Sequence, residues 1–123
     1  MDGADDGAPR TAAGDTGGRG LRVGSLALAA VFEDALPSIP VSSNKSMIGH
    51  TITAAGAVEA VFSVLSLKTG RLPPTINLEE PDPTIPLDLI PDVARDVPIR
   101  TVMSNSFGFG GQNVSLLLSA EPF

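Results

Sequence analysis

Cysteine is absent from the chain, histidine occurs once, and basic residues are outnumbered by acidic ones. Without cysteine there is no disulfide, no thiolate metal site and no sulfur nucleophile in its 123 residues. A net charge of −6 argues against a nucleic-acid binder, which would carry a basic patch that no window here supplies. No stretch reaches the roughly 18 uninterrupted apolar residues of a membrane span. The start lacks the basic stretch and apolar core of a signal peptide. Neither nucleic acid nor membrane is therefore an expected partner, and the cytoplasm is the expected setting. The length suits one modest domain.

What is present is unevenly distributed. Residues 1 to about 20 are rich in Gly, Ala and Asp, with Phe, Ile, Leu and Val missing until Leu21. Such a segment buries too little apolar surface to offset its ordering entropy, so residues 1–25 are expected to be disordered. Leu26 to Phe32 predicts two helical turns ending before Pro37, and Ile39 to Ser43 a short strand. From about Thr51 to Lys68 the pattern is that of a helix apolar nearly all round, which predicts burial. Its interior polar positions Glu59, Ser63 and Ser66 form one narrow stripe, and Gly70 supplies its terminator. Glu79 to Pro98 is acidic and proline-dense and predicts an irregular connection, with a short extended piece at Leu87–Ile90. Thr101–Asn105 and Val114–Leu118 read as buried strands joined through a glycine-rich turn.

Three places could carry chemistry. The run Ser42-Ser43-Asn44-Lys45-Ser46-Met47-Ile48-Gly49-His50 puts the histidine beside one of two lysines, just ahead of the long helix. Glu59 needs a partner if its helix is buried, and Lys45 is the lysine near enough in sequence; a solvent-facing glutamate is the plain alternative. A lone histidine is more often structural than catalytic. At the junction of loop and helix, however, free backbone amides favour a neutral imidazole, which can donate a hydrogen bond to a developing oxyanion. The third place is Asn105-Ser106-Phe107-Gly108-Phe109-Gly110-Gly111-Gln112-Asn113. It lacks the Lys-Ser/Thr of a phosphate loop and leads into a strand, so a tight hairpin remains the alternative to function. Asn105 and Asn113 are expected to tie down this turn through side-chain hydrogen bonds to backbone.

The Lys-Ser-Met-x-Gly-His loop, Ala54 to Ala60, Pro73-Pro74-Thr75-Ile76-Asn77-Leu78 and the Asn-Ser-Phe-Gly-Phe-Gly-Gly turn agree in order and spacing with one family. Residues 26–119 resemble the C-terminal part of a β-ketoacyl synthase of the thiolase superfamily, closest to the bacterial elongating enzymes. The resemblance implies an α/β fold: a truncated thiolase-like half, with roughly three to four strands of a mixed sheet and one long buried helix. Residues 120–123 would be a tail.

The activity so implied is decarboxylative Claisen condensation of malonyl-carrier with an acyl thioester, in fatty acid or polyketide synthesis. His50 would stabilise the enolate oxygen, and Lys45 would pair with Glu59. Phe109 would gate the acyl pocket and lend its backbone amide to an oxyanion hole, with Phe107 a packing residue. Gln112 stands where many relatives carry threonine. Neither cofactor nor metal is implied.

The family's nucleophilic cysteine and its second histidine, in a His-Gly-Thr run, are missing. The expectation is therefore a fragment, from a frameshift or misplaced start, inactive alone. Expected partners are acyl carrier protein, the missing N-terminal half and a second copy in a homodimer. Arg71, Arg95 and Arg100 are the few local basic candidates for docking an acidic carrier. The alternative is a non-catalytic partner subunit comparable to a chain-length factor.

Overall fold

A computed structural model describes residues 10–14, 18–80, 83, 87–108 and 110–121. In chain order the elements are β1 (Arg10–Gly14), α1 (Gly18–Phe32), β2 (Pro40–Ser42), α2 (Lys45–Ile48), α3 (Ala55–Thr69), β3 (Arg71–Leu72), β4 (Asp88–Leu89), β5 (Arg95–Asp96), β6 (Thr101–Phe107) and β7 (Asn113–Ser119). Five strands form one mixed sheet in the order β4-β2-β1-β6-β7, parallel except for the antiparallel β6–β7 hairpin. β3 and β5 make a separate antiparallel pair. This is the α/β architecture with a mixed sheet that the sequence implies.

β2 lies between two parallel neighbours, and Pro40, Val41 and Ser42 are all buried. Proline is tolerated there as the first residue of a strand. One apolar cluster gathers Leu72, Ile90, Ile99 and Val102, with Leu67 of α3 packed on it. α3 ends at Gly70, whose φ of 69° is the left-handed geometry of a glycine C-cap; its N–H bonds Ser66 O at 2.8 Å. The connection from β3 to β5 is pinned by Arg95, which clamps both oxygens of Asp88 at 2.5 and 2.9 Å. That hydrogen bond holds the guanidinium above the usual arginine range against the opposing effect of burial, with a lesser contribution from the Asp88 charge. Arg95 and Asp88 are 37% and 29% exposed, so the clamp fixes geometry more than it stabilises.

The structure departs from the sequence expectations in three respects. Arg10–Gly14, in the stretch expected to be disordered, is the middle strand of the sheet, and α1 begins at Gly18 rather than Leu26. Backbone pairing on both sides gives this strand its order without any large apolar side chain. β7 is an edge strand, not a buried one, and leaves Val114, Leu116 and Leu117 exposed.

The third departure concerns α3, whose burial is inverted. The polar stripe Glu59, Ser63 and Ser66 faces the fold, whereas Val61, Val64 and Leu65 stand 59%, 44% and 49% exposed. Ile52–Thr69 has the length and apolarity of a membrane span by composition alone, and that stripe is what interrupts the apolar run.

Candidate functional site

The loop after β2 is built before its charged residues are placed. Ser43 N–H donates to Thr75 Oγ1 at 2.9 Å, Ser46 Oγ to Ser43 O at 3.0 Å, and Ile76 N–H to Ser46 Oγ at 3.0 Å. These bonds stitch the start of the Lys45–His50 run to Thr75-Ile76, so two stretches separated by about 30 residues share one scaffold. α2 is a single turn closed by Gly49, whose φ of 75° reverses the chain and whose N–H returns to Lys45 O at 2.9 Å. Among the described residues, the buried Ser43 hydroxyl and both polar atoms of the buried Asn44 amide have no hydrogen-bond partner. Unmet groups of this kind cost about 1–3 kcal/mol each.

From α2 the Lys45 ammonium reaches α3 and pairs with Glu59 Oε1. The two side chains are 14% and 3% exposed. A carboxylate so buried needs its counter-charge, and the apolar flanks of α3 leave few donors besides this lysine. The solvent-facing alternative for Glu59 is thereby removed. The second carboxylate oxygen lies 3.5 Å from Ser106 Oγ on β6, a residue that sequence spacing did not single out. The contact joins positions 47 residues apart, which no local motif could reveal.

His50 is exposed at the entrance to α3. Its Nδ1 accepts the backbone N–H of Ile52 at 3.2 Å, and His50 O accepts the same N–H. An accepting Nδ1 places the imidazole proton on Nε2. Ile52 achieves this with φ of 51°, an uncommon value for a β-branched residue, while its side chain is 79% exposed.

The glycine-rich run forms the β6–β7 turn as expected. Gly108 N–H bonds Gln112 O at 2.7 Å, and Gly110 and Gly111 take φ of 97° and 82° with open space where a Cβ would be. Glycine is required there by conformation rather than crowding. Asn105 is buried and accepts from Ser115 Oγ at 2.7 Å, a side chain of the facing strand rather than backbone. The Phe107 ring passes beside Gly24 of α1. Phe109 lies outside the described residues. The structure thus joins Lys45 to Glu59, and places His50 five residues beyond Lys45 on the same scaffold. Among the described residues no cluster of His, Cys, Asp and Glu could hold a metal ion.

Comparison with known proteins bears on the same stretch. Residues 22–79 match the β-ketoacyl synthase C-terminal domain. The chain is 54% identical over 93 residues to 3-oxoacyl-[acyl-carrier-protein] synthase 2 of Coxiella burnetii, an alignment covering 76% of this chain and 22% of that protein. In structure it is similar to a type II polyketide ketosynthase in complex with its acyl carrier protein, with a TM-score of 0.88, 31% identity, and 96% of this chain and 29% of that chain covered. A β-ketoacyl synthase from Burkholderia phymatum gives a TM-score of 0.80 and 39% identity, over 94% of this chain and 28% of that one. The chain therefore spans under a third of the proteins it matches. With sequence agreement across the Lys45–Glu59 region and fold agreement over nearly the whole chain, the protein belongs to the β-ketoacyl synthase family, as the counterpart of its C-terminal part.

Proposed function

We propose that the chain carries the enolate-stabilising part of a condensing-enzyme site that acts on malonyl and acyl thioesters of acyl carrier protein. The observation that supports this most is the Ile52 N–H held on His50 Nδ1, which leaves Nε2–H as a donor. As the malonyl carboxylate leaves as carbon dioxide, its bonding electrons move into the thioester carbonyl and make an enolate. His50 Nε2–H donates to that oxygen. The enolate carbon then attacks an acyl thioester carried on a cysteine, and the carbon–sulfur bond breaks to return the thiolate. The cysteine is not in this sequence, so the nucleophile would come from the remainder of a synthase, alongside the second histidine. The Lys45–Glu59 pair holds the loop that presents His50, and Phe109 serves as gate and oxyanion donor. The partners of the assembled enzyme are acyl carrier protein and a second copy of the synthase, in the cytoplasm.

The test is to join the chain to the N-terminal part of a related synthase and follow decarboxylation of malonyl-carrier. His50→Ala is expected to lower that rate by about a hundredfold or more. An unchanged rate overturns the assignment. A fused protein that binds carrier but neither decarboxylates nor condenses, despite an intact cysteine, points instead to a non-catalytic partner subunit.

A further inference from the structure

We infer that Ser106 is a positioning residue for Lys45, acting through Glu59. Lys45 occupies one oxygen of the Glu59 carboxylate, and the other lies 3.5 Å from Ser106 Oγ. Glu59 is 2% exposed, so water cannot substitute freely for the hydroxyl. A second feature lets the hydroxyl come close to the helix. Gly56, one turn before Glu59 on α3, has no side chain there, and a Cβ built on it would stand 3.4 Å from Ser106 Oγ. The helix and β6 thus approach closely enough for a short side chain on the strand to reach the carboxylate.

Ser106 immediately precedes Phe107 and the glycine-rich turn, whereas Lys45 opens the loop that carries His50. The chain Ser106–Glu59–Lys45 therefore links the two polar runs of the sequence through one buried carboxylate. A hydroxyl donating to one oxygen limits rotation of the carboxylate and so fixes the direction in which the other oxygen holds the ammonium. What this does for turnover rests on the proposed condensing function; whether the hydroxyl orders the ion pair does not.

The experiment reads the Lys45 ammonium directly, as its proton exchange by nitrogen-15 NMR on the full chain. Glu59→Gln serves as the control and should accelerate exchange strongly. Ser106→Ala is expected to accelerate it about fivefold. Ser106→Cys, which keeps the shape but donates weakly, should accelerate exchange likewise and replaces alanine in the test where the alanine variant folds poorly. Ser106→Thr, which keeps the hydroxyl, should restore the native rate. Native exchange in both the alanine and cysteine variants, with Glu59→Gln accelerated, overturns the role of Ser106 alone. Native exchange in Glu59→Gln removes the ion pair and overturns the pair's proposed role as well.

Discussion

Lys45 and Glu59 hold two charges at 14% and 3% exposure, where removing one partner leaves the other stranded. Lys45→Met should therefore destabilise the chain by about 3 kcal/mol, and Lys45→Met with Glu59→Leu by much less, as read from urea unfolding. Ile52 offers the opposite case. Its φ of 51° strains a β-branched residue whose side chain contributes little burial, so Ile52→Gly should raise stability by about 1 kcal/mol in thermal unfolding. The partnership of Lys45 with Glu59 was legible in the sequence because an apolar helix cannot carry an unpaired carboxylate. Ser106 was not, since its contact depends on how closely α3 lies on β6, a distance no spacing encodes. The partner of Asn105 was misread for a related reason: strand register puts Ser115 opposite it, and register is set by the hairpin as a whole.

At the level of elements, α3 shows what periodicity can and cannot tell. Its position and its glycine stop were legible, because apolar spacing and a left-handed cap are local properties. The side it turns inward was not. The inward stripe is Glu59, Ser63 and Ser66, small or paired residues that let the helix sit close to β6, and Ser63 Oγ satisfies itself on Glu59 O at 2.8 Å. The apolar flank faces away. Replacing Val61 and Leu65 by lysine should thus change the unfolding free energy of the chain by no more than about 0.5 kcal/mol each, since both already stand about half exposed or more. A loss of several kcal/mol, measured by urea unfolding, would show that the flank is buried. β1 escaped detection for a complementary reason: Arg10–Gly14 contains no large apolar residue, and its place is decided by hydrogen bonding to strands on both sides.

For the molecule as a whole, the exposed flank of α3 and the exposed Val114, Leu116 and Leu117 of β7 leave apolar surface uncovered on helix and edge strand together. Surface of this kind drives association. The chain alone should sediment as a mixture of oligomers whose size rises with concentration, and the double lysine variant of α3 should shift that distribution toward monomer. Fold class was legible at this scale because linked motifs match one family. Strand order was not, because the sheet interleaves early and late segments of the chain.

That interleaving dictates a schedule. β1 leaves the ribosome about 90 residues ahead of its neighbour β6, which pairs Arg10 with Thr101. Until then the middle of the sheet has one open side, exposed for about 5–20 seconds at ordinary rates of synthesis. Closure of a loop this long is intrinsically slow, so translation past Thr101 is the step that commits the nascent sheet. A ribosome stalled before that point would hold a strand waiting for its partner, the natural target for a chaperone.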